Sequence, residues 1–389
     1  MKKTLLFGVM ILMSLSTFAS HLMGGYIQTT QRGYTDTVDI WVTLFSDPQG
    51  VNNPNTITVS ELKMVNSFYQ TNTTISMTRT SQSTWQGMNV DVYYMSKVLT
   101  SGDYRFIYTN CCRGSLTNST SGPNSNFTIS LDYKKTAAGT VSNSAPILVN
   151  YLPVKWVVND TASSILFAVD LDGDSVRVVM DDAINQHANN VFVPIVPFSQ
   201  LNSYGHYQVQ DDGTITWGPT VVGTFATGYK VEEYRNGSLI GTNRVQQVYV
   251  TSPGSTPSFP WAPIMINYDL INGDSVQYSF PVSNASSTSM VIPGVTINQV
   301  NMTTWDLTDL QIGTYRGVLR ASSNSSNNDY YFTFTVRSTI GMEELSVSKD
   351  YEVWDWMGNY LGKNIEWNKL HGFYILRYDD GRIEKTFVD

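Results

Sequence analysis

The chain has 389 residues and a formal net charge of −8 at pH 7, with 14% charged and 12% aromatic residues. An acidic balance with no Lys/Arg cluster offers phosphate backbones no electrostatic footprint, which disfavours nucleic-acid binding. The only cysteines, Cys111 and Cys112, are adjacent, so a long-range disulfide framework within the chain is excluded and stability must come from packing.

In chain order, Lys2 and Lys3 precede an apolar run from Leu5 to Leu15 and small residues ending at Ala19. This reads as an export signal over residues 1–19, with the mature chain expected to begin at Ser20. The run is shorter than the roughly 20 residues of a transmembrane helix, and no other stretch approaches that length. The expected product is secreted or held at the cell surface, without a transmembrane segment.

Beyond Ser20 the chain is rich in Asn, Ser, Thr and Tyr, a balance that favours strands and turns over helices. Val38, Ile40, Val42 and Leu44 alternate, as do Tyr104, Phe106 and Tyr108, so each set should line the buried face of a strand. An apolar residue, a glycine and then an aromatic recur as Leu99-Gly102-Tyr104, Val222-Gly223-Phe225, Leu310-Gly313-Tyr315 and Leu370-Gly372-Tyr374. Glycine suits the tight turn before a strand, and the aromatic can anchor that strand, with a tyrosine hydroxyl bonded back to the turn. "APILVNY" from Ala145 and "APIMINY" from Ala262 echo each other, each opening a unit, and "TSPGSTPSFP" from Thr251 reads as a linker. The predicted architecture is all-β, a string of Ig-like sandwiches: a first β-sandwich over 20–143, Ig-like units over 144–253 and 254–338, and a small C-terminal module over 339–389.

The chemistry-bearing candidates are few. "DLDGDS" sets Asp170, Asp172 and Asp174 at alternate positions around Gly173, a spacing that can converge oxygens on calcium. The same Asp172-Gly173 pair is a strong hairpin-turn signal with solvated carboxylates. Cys111 and Cys112 could form a vicinal disulfide, remain thiols or pair with another chain. The four histidines, His21, His187, His206 and His371, sit in no nucleophile elbow, and no metalloprotease, P-loop or dinucleotide motif is present. The paired acids Asp181-Asp182, Asp211-Asp212 and Asp379-Asp380 read as solvated turn residues. Trp354 and Trp356 share one strand face, suited either to stacking on a ligand or to the module's own core.

Three stretches carry a family resemblance. "SHLMGGYI" followed by "YRFIYTNCCRGSLTN", the segment from "NSAPILVNYLP" to "NRVQQVYV", and "YEVWDWMGNYLGKNIEWNKLHGFYILRYDDGRIEKTFVD" together resemble secreted multi-domain surface proteins of Bacteroidota that use the type IX secretion system. The last stretch is similar to a type A sorting domain, matching at Gly358, Gly372, Tyr374 and Lys385. The resemblance implies export through the type IX machinery to the outer face of the cell. The expected function is non-enzymatic, in adhesion or in envelope or matrix structure, with a surface glycan or protein as ligand. The alternative is a secreted carbohydrate-binding or carbohydrate-active protein.

Overall fold

Val38, Ile40, Val42 and Leu44 are all fully buried, as are Tyr104, Phe106 and Tyr108 to within a few per cent, so the period-2 pattern does mark core-facing strand positions. The computed structural model describes residues 22–50, 52–111, 113–119, 125–140, 142–152, 155–188, 191–259, 265–270, 277–280, 282–295, 297–301, 304–306, 310, 313–338, 351–355, 360–363, 365, 372–378 and 383–388. The fold is all-β: the described residues form twenty-nine strands and one short 3-10 turn. Among them no helix is long and apolar enough to cross a membrane. The signal segment 1–19, Ser20, His21, Cys112, Trp356, Gly358, His371 and the pair Asp379-Asp380 lie outside the described residues.

Two compact units are present, one drawn from Met1–Met265, Gln277–Leu307 and Tyr315–Thr333, the other from Ile266–Val276, Thr308–Thr314 and Phe334–Asp389. The larger begins with β1 (Leu22–Gln31), β2 (Thr37–Ser46), β3 (Thr56–Val65), β4 (Phe68–Trp85), β5 (Met88–Val98), β6 (Gly102–Cys111) and β7 (Asn126–Lys135). Shorter strands come next: β8 (Ile147–Leu148), β9 (Lys155–Val157), β10 (Ala162–Ile165), β11 (Ala168–Val169), β12 (Ser175–Asp181), β13 (Ala183–Ala188) and β14 (Val191–Val196). After the 3-10 turn at Phe198–Tyr204 come β15 (Gly205–Val209), β16 (Thr214–Pro219) and the long pair β17 (Gly223–Arg235) and β18 (Ser238–Ser252). Asn236 and Gly237, both at positive φ, make the tight turn between the last two, as a right-twisted hairpin requires.

The main sheet runs β1-β2-β5-β4-β3-β6-β7-β18-β17-β12, with β9 parallel to β18. β18 pairs with β7 through Thr242 to Arg244 and with β1 through Gln246 and Gln247. It therefore fills the gap between the first and last strands of the N-terminal set. The expected boundaries at 143/144 and 253/254 both fall inside the larger unit. The segment read as a linker is packed: Thr256 N–H donates to Asp160 Oδ2 at 3.3 Å, and Phe259 meets Tyr330 edge-on at 5.0 Å.

Arg113 locks this seating. Its side chain is fully buried, and Nε donates to Asn126 O at 2.8 Å while Nη2 donates to Ile184 O at 2.8 Å and to Gln246 Oε1. Gln246 in turn donates to Thr128 O. Gly24 is required on the other side, because a Cβ there would lie 2.9 Å from Gln246 O, while one on Gly25 would lie 2.7 Å from Thr43 O of the neighbouring β2. Tyr104 forms the turn bond expected of the glycine-aromatic pattern, its hydroxyl donating to Thr100 O at 2.8 Å.

A second core gathers around Trp217, which meets Trp156, Phe225, Tyr249 and Tyr207 at 5.3 to 5.9 Å between ring centroids. Later strands are β19 (Met265–Leu270), β20 (Gln277–Ser279), β21 (Ser287–Val291), β22 (Asn298–Asn301), β23 (Thr304–Asp306), β24 (Gly313–Ser322) and β25 (Asn327–Ser338); of these, β19 from Ile266 on, the first two residues of β24 and β25 from Phe334 on are assigned to the smaller unit. A buried ion pair ties β24 and β25 to β10: Arg320 binds Asp329 at 2.7 Å through both Nε and Nη2, and Asp329 accepts the Ile165 N–H. In the smaller unit β26 (Tyr351–Asp355), β27 (Tyr360–Lys363), β28 (Gly372–Tyr378) and β29 (Ile383–Val388) form one antiparallel sheet ordered β27-β26-β28-β29. Val353 and Leu376 are fully buried in it.

Overpacking at the β1–β18 contact should be costly. Gly24→Ala, whose added Cβ would press on the Gln246 carbonyl of β18, is expected to destabilise the chain by about 1–3 kcal/mol, read as a lowered midpoint in chemical denaturation. Arg113→Met takes the Arg113 donor away from Asn126 O and Gln246 Oε1, while Ile184 O keeps the Gln246 amide, and should cost about 3 kcal/mol. The same change at the half-exposed Arg32, paired with Asp39, should lower the midpoint far less, because solvent screens that pair.

Candidate functional site

The turn that carries "DLDGDS" does not close a hairpin. β11 before it pairs with β8, whereas β12 after it pairs with β17 in the main sheet. Gly173 adopts φ +87, and Asp170 Oδ1 accepts the N–H groups of both Asp172 and Asp174, at 2.9 and 3.0 Å. Asp170 is thus the residue that shapes the turn.

The three aspartates part company from there. Asp172 turns away, accepting Ser144 N–H at 2.5 Å and Ser142 Oγ at 3.2 Å. Asp174 is gripped by Arg235, whose Nη2 reaches Oδ2 at 2.5 Å and also donates to Asn143 Oδ1 at 2.7 Å. In place of Asp172, Glu233 of β17 joins the cluster: one carboxylate oxygen each from Asp170, Asp174 and Glu233 lie within 4.8 Å of one another. Glu233 stands opposite Val176 on one side and Gly241 on the other. Spacing in the sequence could not supply it, since it lies about sixty residues further on and no local pattern marks it.

Glu233 is fully buried, and neither of its carboxylate oxygens has a hydrogen-bond partner among the described residues; Asp170 Oδ2 is in the same condition. Burial, with the charges of Asp170 and Asp174, pushes the Glu233 carboxyl up to about 8. Burial also raises Asp170. The groups facing Glu233 are these two aspartates, Arg235 from its own strand and Tyr133 of β7.

The other sequence candidates are scattered. Cys111, at the end of β6, is disulfide-bonded; Cys112 is the chain's only other cysteine. Gly372 and Tyr374 lie on β28 and Lys385 on β29, in register as Gly372 with Val388, Tyr374 with Thr386 and Ile375 with Lys385. Trp354 is half-buried against Tyr360 at 5.1 Å. His187 packs on Phe192 and is lowered by burial and Arg105. Asp181 pairs with Lys230, Asp211 with Arg177 and Asp212 with Arg316.

A second candidate is an open cavity of about 580 Å³, lined among others by Gln28, Trp41, Trp85, Tyr151 and Arg320. Trp41 and Trp85 are only partly buried, and Tyr151 meets Trp85 edge-on at 5.5 Å. These residues are spread over three hundred positions, which hides the cavity from any local sequence pattern.

No family model and no curated protein matches the chain. Among solved structures, it is similar to a three-domain immunoglobulin fragment of titin, at 10% identity over 82% of this chain and 99% of that one, TM-score 0.18. It is also similar to Sidekick-1 immunoglobulin domains 1–4, at 11% over 88% and 92%, TM-score 0.19. A third likeness is to an endo-fucoidan hydrolase of glycoside hydrolase family 107, at 13% over 77% of this chain and 42% of that one, TM-score 0.18. TM-scores this low bear on no functional assignment.

Because folded Glu233 keeps its proton where the unfolded residue has lost it, stability without added cations should fall as pH rises from about 4.5 to about 8. Thermal melts in chelator across that range should show the decline, and Glu233→Gln should flatten it.

Proposed function

We propose that this is a secreted, surface-associated, non-enzymatic protein that serves adhesion or the structure of the envelope or matrix, exported through type IX machinery by its C-terminal module. The observation that carries the reading is the seating of β18 between β1 and β7, which joins residues on both sides of position 143 into one sheet. A continuous sheet in which the buried Asp91 is held by Arg79 of the neighbouring strand resists deformation and presents loops at fixed spacing. The export element of the reading comes from the resemblance of the terminal stretch to a sorting domain, with Gly358, Gly372, Tyr374 and Lys385 as its matching positions.

Export is tested by locating the full chain and a form ending at Ser338 in a host with the type IX machinery. The full chain should reach the cell surface and the shortened form should remain behind. Surface display of the shortened form would defeat the export assignment.

The carbohydrate reading has one observation in its favour, the partly exposed rings of Trp41 and Trp85 beside Gln28 in the open cavity, since sugar faces stack on aromatic rings while amides bond their hydroxyls. A glycan array separates the two readings. Binding that disappears in Trp41→Ala and Trp85→Ala selects the carbohydrate role, and an array without signal leaves the scaffold role standing.

A further inference from the structure

We propose that Asp170, Asp174 and Glu233 form a binding site for one calcium ion, which clamps the 170–174 turn to the end of the β17–β18 hairpin. The proposal is independent of the adhesive and export readings, and it differs from the sequence expectation by replacing Asp172 with Glu233.

Four observations converge on it. First, Glu233 is completely buried with both oxygens unpartnered among the described residues and has one of them within 4.8 Å of the aspartate oxygens, and Asp170 Oδ2 is likewise unpartnered. A buried carboxylate with nothing to bond is costly enough that the site must bring in either a proton or a cation. Second, the position across from Glu233 is glycine, and a Cβ on Gly241 would lie 2.5 Å from Glu233 Oε2, so the backbone leaves room for the carboxylate where it stands. Third, the donors are all carboxylate oxygens, with no imidazole or thiolate, which suits a hard cation. Oxygens about 2.4 Å from a shared calcium can be as much as about 4.8 Å apart, in keeping with the observed cluster. Fourth, Arg235 offsets one of the three carboxylates through Asp174, leaving two negative charges for a divalent ion. Backbone carbonyls and water would complete the shell.

The location gives the ion a mechanical role. Asp172, turned outward from the cluster, holds Ser142 and Ser144, while Arg235 holds Asn143. Fixing the turn therefore also fixes the 142–144 segment, where the chain passes from the N-terminal strands to the next set.

The test is a calcium titration of the full chain after chelation, followed by calorimetry and by thermal melts with calcium up to about 10 mM, beyond the weakest extracellular sites. Binding of one ion with a raised melting temperature is expected. Glu233→Gln should abolish both binding and the calcium-dependent shift while melting no lower than the parent in chelator, because a neutral amide of the same size fills the pocket without needing a proton or a cation. Asp170→Asn, an independent check should Glu233→Gln fail to fold, should weaken binding at least about tenfold; Asp172→Asn should retain it. No heat and no shift with calcium would overturn the proposal, as would loss of binding in Asp172→Asn with retention in Glu233→Gln.

Discussion

Everything in the larger unit depends on how β18 is held. It lies between β7 and β1, in partial register with each, while its full length is paired to β17. Such seating exposes β18 to two constraints at once. The backbone of β1 must come close, which Gly24 permits, and the polar groups buried at the seam must find partners, which Arg113 and Gln246 provide to each other. A buried guanidinium bonded to carbonyl and amide oxygens is an expensive device, and its cost makes sense only if the seam must not slip. Hydrophobic packing alone would tolerate a shift of register along β18; the directed bonds of Arg113 to Asn126, Ile184 and Gln246 do not.

The same seam links three stretches that lie far apart in the chain. The glycine pair of "HLMGGYI", the arginine after Cys112 and the glutamines of "NRVQQ" are far apart in the chain and adjacent in the structure. Each is a component of one joint. β6 ends at Cys111, two residues before the arginine that locks it.

Much of the strand content was legible in advance, because period-2 alternation is local and survives any tertiary arrangement, as in Val38 to Leu44. The glycine-aromatic pattern was legible for the same reason, and Tyr104 makes the bond that the pattern implies. Long-range features were not. Nothing near Gln246 says that it pairs with Gly25, more than two hundred residues earlier, and the proline-rich run from Thr251 has a linker's composition although it packs against Asp160 and Tyr330. At the acidic turn, the aspartates were visible as a motif but their division of labour was not. Which carboxylate faces inward depends on Ser142, Ser144, Arg235 and Glu233, which come from elsewhere in the chain.

The central claim is that the N-terminal strands and the β17–β18 hairpin open and close together. Native-state hydrogen exchange tests it most directly, by comparing the slowest amides of β1, β2 and β7 with those of β17 and β18. A single shared opening free energy for both sets is the predicted result. If β17 and β18 exchanged through a markedly cheaper opening while β1 to β7 stayed protected, the two would be separate folding units and the account would be contradicted.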